Sequence, residues 1–168
     1  MNTDRNKSCA FSGSKPENLE FNEEEIKTWL KKMIHKAIED GYTDFFTGMK
    51  KGADLWAAEE VIKLKKEGLD IRLYAVCAYQ GVDNAWINEW KTSFRYVLYN
   101  ADEVIIVSKK AGNRAYLMRD AFLVDNASSL ISVYGGEGGS TYKMMKYAQD
   151  CGVEVVALTE SYRSTGIE

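Results

Sequence analysis

The chain's 168 residues fit one domain, large enough to bury about two-thirds of its unfolded surface, and no second core is needed. With 45% hydrophobic residues, 28% charged residues and a net charge of −3, it has the composition of a soluble globular protein and no global field for DNA or an anionic membrane. No apolar run approaches the ~20 residues that cross a bilayer, and the polar start Met1 to Lys7 lacks a signal peptide's apolar segment, so the expected compartment is the cytoplasm.

Residues 8 to 13, Ser-Cys-Ala-Phe-Ser-Gly, predict a first strand ending in a glycine turn, followed by a loop that holds the chain's one proline, Pro16. Asn22 then precedes a Glu-Glu-Glu run and an amphipathic pattern to about Asp40, closed by Gly41: a helix with an N-cap, acidic first turn and glycine stop. Asp44 to Thr47 is a short second strand ended by Gly48, and Gly52 turns the chain into a helix from about Ala53 to Lys66. Ile71 to Ala78 is an apolar third strand. A loop through Tyr79, Gln80 and Gly81 leads to a helix from about Asn84 to Tyr99, with Trp86, Trp90, Phe94 and Leu98 at every fourth position. Val104 to Val107 is the fourth strand, Lys109 to Arg114 a cationic loop, and Ala115 to Asp125 a helix. A fifth strand begins near Leu130, its helix runs to about Asp150, and Val153 to Leu158 is the sixth strand.

Strands alternating with helices across short glycine-marked turns predict an α/β, three-layer, mostly parallel, doubly wound sheet of six or so strands with helices on both faces. The single domain occupies 1–168 with its core at about 8–158, and 1–7 and 159–168 are expected to fray.

Cys9, Cys77 and Cys151 are odd in number, far apart and form no Cys-x-x-Cys pair, which argues against a disulfide framework or a metal site and for buried reduced thiols. The only histidine, His35, lies outside the apolar stripe of its helix and is expected at the surface. Triads built on histidine are therefore not expected.

The stretch Leu130 to Thr141 concentrates the chemistry. An apolar run stops at Gly135, four of the five residues from 135 to 139 are glycine, and Ser140-Thr141 opens a helical pattern. Bare amides at a helix start, with the positive end of its dipole, favour an anion such as phosphate; the plainer reading is a turn in which Ser140 or Thr141 caps the helix. Ligands in open parallel sheets bind beyond the strand carboxyl ends where strand order reverses, which collects Gly13-Ser14, Gly48 to Asp54, Tyr79-Gln80, Ser108 and Gly135 to Thr141 at one edge. Arg119 and Arg114 can present a guanidinium to phosphate. Trp86, at the first predicted turn after that edge, is the aromatic placed to face a ring, whereas Trp90 and Phe94 belong to the core.

Cys-Ala-Phe-Ser-Gly at 9–13, Gly-Ala-Asp-Leu-Trp-Ala-Ala-Glu at 52–59, Met-Arg-Asp-Ala-Phe-Leu-Val-Asp at 118–125 and Gly-Gly-Glu-Gly-Gly-Ser-Thr at 135–141 together resemble the YpsA-like branch of the SLOG superfamily, which also contains the lonely-guy phosphoribohydrolases and the DNA-processing protein DprA. The resemblance runs from about Ser8 to Leu158. It implies a Rossmann-like fold with a crevice for a nucleotide-derived ligand such as ADP-ribose or an NAD-related compound, requires no cofactor, and brings no settled activity. Arg119 matches the arginine that serves the nucleotide in lonely-guy enzymes, whereas their catalytic glutamate falls near Tyr142 to Met144, where this chain has Tyr, Lys and Met. The family's Gly-His-Arg-Pro is replaced by Gly13-Ser14-Lys15-Pro16, and its Gly-Gly-Thr appears as Gly138-Gly139-Ser140-Thr141.

The resulting expectation is a nucleotide-derivative binding or sensing protein in which Gly135, Gly136, Gly138, Gly139, Ser140 and Thr141 hold phosphate and Arg119 pairs with it. Gly13, Ser14 and Trp86 flank base or ribose, and Gly48, Gly52 and Asp54 line the crevice. The alternative is a hydrolase of the N-glycosidic bond with Glu59, Asp54 or Asp125 in place of the absent glutamate. Single-stranded DNA binding, by analogy with DprA, is the third and is opposed by the acidic balance. A homo-oligomer follows only from lonely-guy relatives, which dimerise.

Overall fold

The computed structural model describes residues 1–136 and 138–159. The strands are β1 (Ser8–Gly13), β2 (Asp44–Thr47), β3 (Arg72–Cys77), β4 (Glu103–Ile106), β5 (Ser129–Val133) and β6 (Glu154–Leu158). The helices are α1 (Glu23–Glu39), α2 (Ala53–Lys66), α3 (Asn88–Asn100), α4 (Asn113–Asp125) and α5 (Ser140–Asp150). All six strands are parallel in the order β4-β3-β2-β1-β5-β6. The chain winds outward from β1 to β4, returns through α4 to the other side of β1, and winds outward again. Strand order therefore reverses between β1 and β5.

The two faces of the sheet follow from side-chain alternation. Cys9, Phe11, Phe45 and Leu73 point to one face, where Ile26 and Leu30 of α1, Leu55 of α2 and Phe94 of α3 cover them. Ala10, Phe46, Tyr74 and Leu130 point to the other, under Leu123 and Val124 of α4 and Met144 and Ala148 of α5. Central strands buried on both faces explain the unbroken apolar runs in the sequence. Phe11 stacks on Phe45 within the first core and Phe46 on Tyr74 within the second.

Asn22 caps α1 by accepting the Glu25 amide at 2.9 Å, ahead of Glu23, Glu24 and Glu25 in the first turn. Three expectations need correction. The helix placed from Asn84 starts at Asn88, because Gly81 with φ of +84° begins a run of turns and Ile87 is extended. Cys151 is exposed, since the helix-end position it occupies turns outward; Cys9 and Cys77 are buried. Neither Ser140 nor Thr141 caps α5, since the cap position is Gly139, which offers no side chain. Arg5–Lys7 form a 3-10 turn capped by Asp4, and 160–168, expected to fray, lie outside the described residues. No helix among the described residues is long and apolar enough to cross a membrane.

Candidate functional site

The carboxyl ends of β1 and β5 are tied to each other just where strand order reverses. The Ser14 amide donates to the Val133 carbonyl at 2.9 Å, and the Gly135 amide donates to Ser14 Oγ at 3.3 Å. The flanking glycines are there for close approach. A Cβ on Gly13 would lie 2.6 Å from the Ala53 Cβ, and one on Gly135 only 2.5 Å from the Asn18 carbonyl oxygen. Side chains at either position would push α2 or the Pro16–Asn18 turn away from the sheet.

Gly136, Gly138 and Gly139 differ, because among the described residues nothing beyond their chain neighbours lies within 4 Å of a Cβ built on any of them. They lead into α5, whose first turn has no side-chain cap among the described residues. Ser140 is exposed and Thr141 buried within that turn. Open glycines followed by uncapped amides at the positive end of a helix dipole make a surface suited to an anion.

The β2 exit forms the other wall. Thr47 Oγ1 donates to the Asp54 carbonyl at 2.9 Å and accepts the Met49 amide at 3.2 Å, which clasps a loop where Met49 adopts φ of +63°. Gly48 lies beneath three side chains: its Cβ would meet Asp54 Oδ2 at 2.8 Å, Leu123 Cδ1 at 3.0 Å and Arg119 Cδ at 3.3 Å. Asp54, at the start of α2, and Arg119, on α4, are thereby brought together from opposite helical layers.

Both charges are buried, Asp54 to 2% exposure and Arg119 to 4%. Asp54 Oδ2 accepts the Lys50 amide at 3.4 Å, while Oδ1 has no partner among the described residues. Burial pushes its carboxyl up to about 6, against the opposing pull of Lys50 and Arg119. Arg119 donates through Nε and Nη2 to Asp120 Oδ1, each at 3.1 Å, and lies 5.2 Å from the Tyr116 ring centre. Tyr116 in turn shares a hydroxyl hydrogen bond with Tyr79 at 3.1 Å.

Gly13, Ser14, Gly48, Gly52, Asp54, Arg119, Gly135, Gly136, Gly138, Gly139, Ser140 and Thr141 thus all fall at one sheet edge, Gly52 with φ of +95° beneath the Pro16 ring. Three expected residues are engaged elsewhere. Glu59 accepts Ser93 Oγ at 2.6 Å between α2 and α3. Trp86 packs edge-on against Phe94 with the Lys51 ammonium 5.2 Å from its ring centre. Asp125 accepts the Tyr147 hydroxyl at 2.8 Å at the end of α4, toward the amino edge of the sheet. Asp120, Tyr116, Ser12 and Ser132 were not anticipated. A signal for the serines existed: each is a hydroxyl placed among apolar residues near the carboxyl end of its strand, Ser12 after Cys9, Ala10 and Phe11 and Ser132 between Ile131 and Val133.

Residues 9–159 match the model of the YspA SLOG family. The chain is also similar to a UPF0398 protein of Brevibacillus brevis, 27% identical over 122 residues that cover 71% of this chain and 65% of that protein. It is 24% identical to a UPF0398 protein of Bacillus thuringiensis over 114 residues, 67% of this chain and 62% of that protein. The matched stretch spans less than two thirds of either relative.

Proposed function

We propose, from the premise that the chain belongs to the YspA SLOG family, that it binds a phosphate-bearing nucleotide derivative at the β1/β5 switch. The observation that carries this reading is the first turn of α5, which no described side chain caps, behind Gly136, Gly138 and Gly139, whose Cβ positions no described residue beyond their chain neighbours approaches within 4 Å. Amides so placed stabilise negative charge without a counter-ion. Arg119 adds a cation with a planar donor face, and the unpartnered Asp54 Oδ1 is an acceptor suited to a ribose hydroxyl. ADP-ribose, NAD and nucleoside monophosphates fit this set of donors and acceptors. Calorimetry with each ligand on the wild type and on Gly138→Trp tests the site: the substitution should abolish the heat, and equal heats for both proteins would refute the location.

A second reading, hydrolysis of an N-glycosidic bond, is supported by one observation. Asp54 combines burial with a carboxyl raised to about 6, which lets it exchange a proton near neutral pH. Glu59 and Asp125 are less suited because each already holds a partner away from the cleft. Base release from nucleoside monophosphates, lost in Asp54→Asn, would establish this reaction. Tight binding with no turnover would leave a binding protein.

A further inference from the structure

Ser12 and Ser132 are register partners on the adjacent strands β1 and β5, at the point where strand order reverses. Both hydroxyls are buried, at 1% and 0% exposure, and neither has a hydrogen-bond partner among the described residues. Ala10 and Leu130, two residues earlier on the same strands, belong to the core under α4 and α5, so strand alternation turns both serines to that face. Continuing the β1–β2 register by two residues brings Gly48 beside Ser12. Gly48 at the exit of β2, with Ser12 and Ser132, therefore marks the carboxyl edge of three neighbouring strands. One end lies under Asp54 and Arg119, and the other leads into the open glycines and the start of α5.

A buried hydroxyl without a partner is costly, and two side by side in a strand pair are rarely kept without use. We infer that Ser12 and Ser132 are the floor of the ligand site, donating hydrogen bonds to the oxygens of a phosphate seated between Arg119 and the first turn of α5. This rests on the proposed phosphate site and adds two ligand-contacting residues to it. Hydroxyls suit the position because they donate to an anion and add no charge beneath it. With Arg119 on one side, amides on the other and hydroxyls below, donors converge on a tetrahedral oxyanion from several directions, which favours phosphate over a planar carboxylate. The guest enters from the loop side, where no described residue crowds the Cβ positions of Gly136, Gly138 and Gly139.

The test uses Ser12→Ala, Ser132→Ala and the double variant, probed with inorganic phosphate, AMP and ADP-ribose by calorimetry, and with thermal melts of the free protein. Removing an unpaired hydroxyl should leave the free protein's melting temperature equal or higher while weakening phosphate binding. The expected loss is roughly tenfold or more per serine, the usual size for a hydrogen bond to a charged group. Near-isosteric Ser12→Cys and Ser132→Cys separate packing from donation. Cysteine is a weak donor, so the loss should persist, and restored affinity would assign the serines to packing and overturn the inference. Lowered melting temperatures with unchanged affinity would show hydroxyls bonded within the protein, and would overturn it too. If the wild type binds none of the probes, the phosphate site fails and this inference with it. If the wild type binds and all serine variants bind equally, only the serines' role fails.

Discussion

Asp54 and Arg119 converge over Gly48, yet neither side chain satisfies the other. Arg119 spends two donors on a single oxygen of its neighbour Asp120, and Asp54 Oδ1 has no partner among the described residues. The sheet edge thus holds a buried cation and a buried acceptor in an arrangement that a ligand can complete. The consequences of that arrangement are measurable.

Asp54 should make stability fall as pH rises through the mildly acidic range. Its folded pKa is about 6 against an ordinary 3.8, so between those values the folded chain keeps a proton that the unfolded chain has lost. The unfolded state binds fewer protons there, and stability falls with rising pH, most of the change being complete above about 6. Two units correspond to about 3 kcal/mol. Urea denaturation of Asp54→Asn and wild type from pH 4 to pH 7 should show the variant gaining relative stability through this window. A constant difference would mean that Asp54 titrates normally.

The glycines should separate into two classes. Gly13→Ala sets a Cβ 2.6 Å from the Ala53 Cβ, and relief requires α2 to move off β1, at a cost of about 1–3 kcal/mol. Gly138→Ala meets nothing within 4 Å among the described residues and should stay within about 0.5 kcal/mol of wild type. Its methyl nonetheless projects from the loop proposed to hold phosphate, so affinity for AMP should drop while the melting temperature holds. Paired melts and calorimetry check both halves.

Most of the scaffold could be read from the chain because alternation, helical spacing and glycine punctuation agree along it. Asn22, Glu23 to Glu25 and Gly41 bound α1 with little ambiguity, and Ala53 and Lys66 bound α2 as expected. The start of α3 at Asn88 is not legible, because the fourfold spacing of Trp86, Trp90, Phe94 and Leu98 runs back into the turns that follow Gly81. Which glycines are tight and which open is not legible in the sequence, since that depends on what lies opposite: Ala53 for Gly13, the Asn18 carbonyl for Gly135, no described residue for Gly138. Arg119 stood out as a cation, but its engagement with Asp120 and Tyr116 depends on how α4 crosses the sheet. Ser12 and Ser132 lie 120 positions apart and become neighbours only when β5 pairs with β1.

The chain's three cysteines should differ sharply in reactivity. Burial raises the Cys9 thiol to about 12 and the Cys77 thiol to about 11, with Asp83 adding to the latter. Cys151 is exposed at the end of α5. Since the thiolate reacts and must be reached, a thiol-specific disulfide reagent near pH 8 should modify one group per native chain and three after denaturation. Rapid modification of two or more in the native protein would contradict the burial of Cys9 and Cys77.

The Arg119–Asp120 pair yields two opposite predictions. In the unliganded protein Asp120 already engages the guanidinium, so an incoming phosphate competes with that carboxylate for the same donors. Neutralising it in Asp120→Asn should strengthen phosphate binding, on the order of three- to tenfold, because less of the interaction with Arg119 must be surrendered. Arg119→Lys should act the other way. Lysine keeps the charge, but it cannot offer a planar fork to phosphate while lying against the Tyr116 ring, and roughly tenfold or more of affinity should be lost. A fall in affinity for both variants would indicate that Asp120 positions the guanidinium, while no change in either would place the phosphate away from Arg119. Measuring both at two salt concentrations distinguishes a direct contact from a diffuse field, since only the diffuse field is strongly screened.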